Sequence, residues 1–276
     1  MVQETVVGGS GPIKQTSQSI DVLQAMRGIA ALMVVLWHSS RFISPYYTGL
    51  GWTLFGGGSA MGVEMFFVLS GFIMVYTTTA GTPVSAGNFL LRRFIRIWPL
   101  YMICTGLVIL QQGVSSVDGS GLFQSLTFIP VRNDQLPLLG VGWTLNFEMY
   151  FYVIFGLCML LGRLRWAAFF GWVVLTLVVL PLATGRTFML AASESYHYSV
   201  PYLNLATSPL IWLFSVGVAA GLIYRSRIRF PSDFWAWLTT LTLAACVMWQ
   251  YSSSWRTGHG INHAGIFVAP LTVAVV

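Results

Sequence analysis

Eight apolar runs dominate the 276-residue chain, near 24–43, 61–79, 97–112, 140–161, 166–184, 207–224, 234–250 and from 264 to the last residue. About 20 apolar residues are enough for a helix to cross the hydrocarbon core of a bilayer. Charged residues make up only 8% of the chain, against about 25% in a soluble domain. What remains could not build a water-facing surface, which excludes a soluble globule. Open sheet edges cannot be satisfied in lipid. The pattern therefore predicts an all-α, polytopic transmembrane helical bundle of about eight spans. The eighth run stops at Val276 inside its apolar stretch, so the last span is expected to be truncated and the C-terminus incomplete.

The net charge is +6. In a soluble chain such an excess raises the question of nucleic acid. Here the positive residues sit at the ends of apolar runs, so they read as a topology signal and no nucleic-acid partner is expected. With the N-terminus cytoplasmic, inner segments hold ten of the Lys and Arg residues and outer segments four, with the short loops GRLR (162–165) and YRSRIR (224–229) both inside. Residues 1–18 are polar and are expected to be a disordered cytoplasmic tail ahead of one membrane domain, 19–276. The connections 113–139 and 185–205 read as ordinary outer loops. Cys104, Cys158 and Cys246 lie in apolar stretches without CxxC spacing, so neither a disulfide framework nor a metal site is indicated.

Where charge is so scarce, the polar groups inside apolar runs are the informative ones, because burying them in a membrane is costly. Four stand out: Arg27, His38, Glu64 and Glu148. Arg27 and His38 are eleven residues apart, about 20° past three helical turns, so they share a helix face about 16 Å apart along the axis. Counting along the spans places Arg27 near the cytoplasmic end and His38 about two-thirds of the way across. Glu148 is reckoned at the depth of His38, with Glu64 somewhat shallower. His38 is then either a buried histidine bonded to backbone or hydroxyl, or a general base oriented by a carboxylate on its other ring nitrogen. Glu64 and Glu148 are candidates for that carboxylate, or each fills a polar gap between helices.

A second cluster precedes the third span: Arg92, Arg93 and Arg96 in NFLLRRFIRIWPLYM present one basic face through i,i+3 and i,i+4 spacing. Such a face either anchors to anionic lipid or cradles phosphate groups. An anion-binding floor about 16 Å below an acid/base centre fits a donor with a phosphorylated head and a long thin arm. Acyl-coenzyme A has that shape.

Four stretches carry a resemblance: IDVLQAMRGIAALMVVLWHSS (20–40), GVEMFFVLSGFIM (62–74), FLLRRFIRIWPLYM (89–102) and WTLNFEMYFY (143–152). In this order they resemble the acyltransferase-3 family of bacterial integral membrane acyltransferases, and in particular its exopolysaccharide branch. The resemblance implies a multi-pass inner-membrane O-acyltransferase that moves an acetyl or other short acyl group from cytoplasmic acyl-CoA to a sugar hydroxyl. The acceptor would be a polysaccharide or lipid-linked sugar handled at the outer face. It further implies a catalytic His38, motif carboxylates at Glu64 and Glu148, and Arg27, Arg93 and Arg96 serving the acyl-CoA. Acyl-CoA is then a donor substrate, and no tightly bound cofactor is expected. Glu64 stands where the family often has Asp.

Other signals are weaker. Ser70 in VLSGF lacks a GxSxG elbow, and direct transfer from a thioester needs no serine ester. His259 and His263 have i,i+4 spacing without the Glu of HExxH, so a metal is not expected. The rival function is a proton-coupled transporter or exporter of a polysaccharide precursor, since buried His and Glu also form proton relays. Internal repeats or paired broken spans would mark one, and the sequence has neither. A scaffold without chemistry would be indifferent to loss of His38.

Overall fold

The computed structural model describes residues 12–43, 61–79, 84–113, 117–130, 136–191, 196–226, 232–253, 259 and 266–275, with side chains of the first helix described over 21–40. Among these residues the regular elements are helices and there is no strand. They are α1 (Pro12–Ile43), α2 (Met61–Thr79), α3 (Ala86–Gln112), α4 (Gly119–Leu126), α5 (Trp143–Met159) and α6 (Arg165–Val174). A π-helical turn, Leu175–Val179, joins α6 to α7 (Leu180–Ala183). Then come α8 (Pro201–Ala206), α9 (Leu210–Arg225), α10 (Asp233–Ser253) and α11 (Ile266–Val275). Each of the eight apolar runs thus carries a helix. Four stretches are long and apolar enough to cross a membrane: Asp21–Ser40, Met61–Thr79, Ala86–Gln112 and Gly162–Ala183. The chain is an all-α helical membrane protein. α1 begins at Pro12, inside the segment expected to be a tail, and residues 1–11 lie outside the described ones.

The centre of the bundle is the contact between α2 and α9, and glycine makes it possible. A Cβ on Gly71 would stand 2.2 Å from the Phe214 carbonyl oxygen, and one on Gly217 would stand 2.1 Å from that of Val68. Gly217 and Gly221 form a GxxxG pair, and a Cβ on Gly221 would be 2.8 Å from Cβ of Val75. Lipid tails are as apolar as side chains, so association in a membrane relies on such backbone-to-backbone packing. Around this seam Phe214 stacks on Phe151 at 4.2 Å and sits 4.6 Å from Phe67. α1 joins through Leu23, Met26, Ala30 and Met33, a buried stripe at helical spacing. Gly62 lets α2 come against it, since a Cβ there would lie 2.5 Å from the Ala30 carbonyl.

α3 is held to the bundle on one side only. Gly156 of α5 packs against Leu90, and Gly142 against the Tyr101 ring. Ile95, Leu100, Ile103, Leu107 and Leu110 are exposed along the rest of its length, as expected for a helix facing lipid. α4 is pinned beside it by Trp98 Nε1 donating to the Leu126 carbonyl at 3.2 Å and by a 2.6 Å Tyr101–Ser125 hydroxyl bond. The two connections expected as ordinary loops are therefore built. One carries α4. In the other, Arg186 donates to the Tyr196 carbonyl and stacks over Tyr198 at 4.5 Å, and Asn204 brackets the Tyr198 backbone.

Candidate functional site

Phe89, Arg93 and Arg96 recur at i, i+4 and i+7 and so share one face at the start of α3. The helix is begun by Ser85, whose hydroxyl oxygen accepts from the Asn88 amide at 3.3 Å. A pocket of about 240 Å³ opens here, lined by Thr77, Thr78, Val84, Phe89, Arg92, Arg93 and Arg96. Arg93 is half-buried and its placement is specific. Its Cζ lies 5.5 Å from the Phe89 ring centroid and 5.4 Å from that of Tyr152, and Nη2 donates to Thr77 Oγ1 at 3.4 Å. Arg92 and Arg96 are exposed on the pocket rim. Guanidinium forks and the positive end of α3 together suit an anion, while the Thr77 and Thr78 hydroxyls donate to the carbonyls of Ile73 and Met74.

Behind the pocket stands Glu148. It accepts from Ser70 Oγ of α2 at 3.1 Å and from the Tyr152 hydroxyl, one turn further along α5. Arg27 of α1 is close enough to Arg93, Arg96, Glu148 and Tyr152 to interact electrostatically with each. Four of the six residues expected at the site, Arg27, Arg93, Arg96 and Glu148, therefore converge. Ser70 and Thr77 are seven residues apart and share a face of α2, which explains how one bonds to Glu148 while the other bonds to Arg93.

Among the described residues the hydrogen bonds of Glu148 come from Ser70 and Tyr152, with none from His38, and it interacts with Arg27. Ser70 is about 10 Å along α2 from Thr77 at the pocket. α1 is continuous from Arg27 to His38, so the expected separation of about 16 Å stands. His38 is exposed on α1.

Glu64 lies further toward the start of α2. It is 1% exposed in the first turn of α2, where a carboxylate is favoured by the helix dipole, and lies about 120° around the helix from Ser70. His259 packs on Trp143 at 5.7 Å, and His263 lies outside the described residues. Phe89, Thr77 and Tyr152 were not singled out by the sequence. A signal existed for Tyr152, which follows Glu148 at i+4.

The four sequence blocks fall on α1, α2, α3 and α5, and the cluster takes residues from each of those helices. The family model described as an acyltransferase domain matches residues 20–276. The chain belongs to the acyltransferase-3 family. The exopolysaccharide production protein ExoZ of Rhizobium meliloti (strain 1021) is 38% identical over 113 residues, 35% of this chain and 33% of the relative. Nodulation protein 10 of Rhizobium leguminosarum bv. viciae is 26% identical over 236 residues, 75% of this chain and 60% of the relative. Protein 2 in the picA locus of Rhizobium radiobacter is 33% identical over 94 residues, 32% of this chain and 42% of the relative. The chain's matches span from a third to three-fifths of these relatives' lengths. No solved structure matches. In this acyltransferase-3 chain the described geometry brings an arginine-lined pocket and a carboxylate network together at Arg93 and Arg27.

Proposed function

We propose that the protein is a multi-pass inner-membrane O-acyltransferase, with its N-terminus cytoplasmic, that moves an acetyl or other short acyl group from acyl-CoA to a hydroxyl of an exported polysaccharide or lipid-linked sugar. The observation that carries this reading is the convergence of Arg27, Arg93, Arg96 and Glu148, from the four helices that hold the family's sequence blocks, beside one pocket. The arginines would bind the nucleotide phosphates of the donor, and the arm carrying the thioester would run along α1 toward His38. His38 accepts the proton of the sugar hydroxyl as its oxygen attacks the thioester carbonyl. The C–S bond breaks, and the proton passes from His38 to the departing thiolate. Glu148 supplies the counter-charge that lets Arg27 and Arg93 sit together beside α5, in place of the histidine-orienting role expected from depth. Glu64 contributes from the first turn of α2.

The naming of one relative as an exopolysaccharide production protein supports the acceptor class. Acyl-CoA is consumed as substrate, so no resident cofactor enters the reaction. The test is expression of the chain and of His38→Ala in a host lacking the modification, with polysaccharide O-acylation as the readout. Acylation in the parent strain and its loss in the variant are expected. Equal acylation in both would remove His38 from the mechanism.

A further inference from the structure

The arginine pocket is braced from behind by a side chain to which the proposed reaction gives no part. Tyr152 is 3% exposed. Its hydroxyl donates to Glu148 Oε1, and its ring lies 5.4 Å from Arg93 Cζ. Phe89, edge-on to Tyr152 at 6.1 Å, places a second ring 5.5 Å from the same carbon. Rings attract a guanidinium through their faces and leave its N–H donors available, because those donors point outward in the guanidinium plane. One of them already reaches Thr77, on the pocket wall. The tyrosine has only two side-chain torsions, and both ends are committed, the hydroxyl to α5's own carboxylate and the ring to α3. It is a fixed platform for a side chain that would otherwise carry much rotamer freedom into binding.

We infer that Tyr152 is a positioning residue for donor binding: its ring holds the Arg93 guanidinium in the orientation that meets an anionic phosphate in the pocket. This rests on the donor reading above. Tyr152 touches no substrate and acts through Arg93, so its loss should fall on donor affinity and spare the chemical step. Phenylalanine keeps the platform and leucine does not, which separates the ring from the hydroxyl.

The test uses the full chain in lipid nanodiscs, with coenzyme A binding by calorimetry and donor KM and kcat from acyl transfer. Tyr152→Phe is expected to bind coenzyme A within about twofold of the parent. Tyr152→Leu should bind about tenfold more weakly, with donor KM raised to match and kcat and acceptor KM unchanged. Parent-like binding by Tyr152→Leu, equal losses in both variants, or a fall in kcat at constant donor KM would overturn the inference. Should Tyr152→Leu fail to fold, Phe89→Leu removes the other ring of the platform. Weakening of several-fold is then expected, and unchanged binding overturns the inference. A parent protein that does not bind coenzyme A sinks the donor reading and this inference together, whereas binding indifferent to Tyr152→Leu sinks this inference alone.

Discussion

Glu148 shows how far a residue's role depends on what it touches. As the acceptor of two hydroxyl donors beside a half-buried Arg27, it carries the negative charge that offsets a basic cluster inside the bundle. Glu148→Ala leaves Arg27 uncompensated and two hydroxyls without an acceptor, which should cost about 1–3 kcal/mol. A lowered melting temperature of the detergent-solubilised variant is the expected outcome, and an unchanged one would mean that solvent already screens the cluster. Arg27 and Glu148 were legible in the sequence because charge inside apolar runs is rare enough to be conspicuous, and Arg93 and Arg96 because their spacing gathers a basic face just before a span. Thr77 and Phe89 were not, since a threonine and a phenylalanine in an apolar helix look like ordinary lining. The Ser70 and Tyr152 bonds of Glu148 were not legible, because spacing along a helix fixes depth only as well as the helix ends are known, while a hydrogen bond requires contact.

Among the elements, the α2–α9 seam sets the geometry that the site inherits, since α2 carries both Ser70 and Thr77. Glycine is required there because carbonyl oxygens occupy the positions a side chain would need. Gly217→Ala should force the two helices apart at a cost of about 1–3 kcal/mol, read as a drop in melting temperature. Gly171, with nothing near its missing Cβ, should accept alanine without loss. α4 offers a pH-dependent check. Hydrogen bonds from the Ser120 hydroxyl and the Gly121 amide hold the Asp118 carboxyl below its ordinary range. A depressed carboxylate stabilises its helix above its unfolded value and loses that contribution as pH falls through the folded one. Amide protection of residues 119–122, corrected for intrinsic exchange, should therefore decline on acidification and become insensitive to pH in Asp118→Ala. The helices themselves were readable from hydropathy, since a chain in lipid has no other way to satisfy its backbone. The structure within the connections was not, because it rests on individual side-chain contacts such as Trp98 to Leu126.

At the scale of the whole molecule, the proposed reaction needs the arginine pocket at the cytoplasmic side and His38 toward the opposite one. Single cysteines introduced at Arg163 and at Arg186, in a background with Cys104, Cys158 and Cys246 replaced by serine, test that orientation. An impermeant thiol reagent applied outside spheroplasts should label the second and spare the first. The central claim, that this acyltransferase-3 chain draws its donor through the arginine pocket and transfers it at His38, is tested most directly by label transfer from radioactive acetyl-CoA. Membranes containing the parent, Arg93→Ala with Arg96→Ala, or His38→Ala are supplied with the donor on the cytoplasmic side, and extracted polysaccharide is counted. The expected result is label in the polymer with the parent, a large rise in donor KM for the double arginine variant, and no label above background with His38→Ala. Undiminished labelling with His38→Ala, or a donor KM indifferent to both arginines, would contradict it.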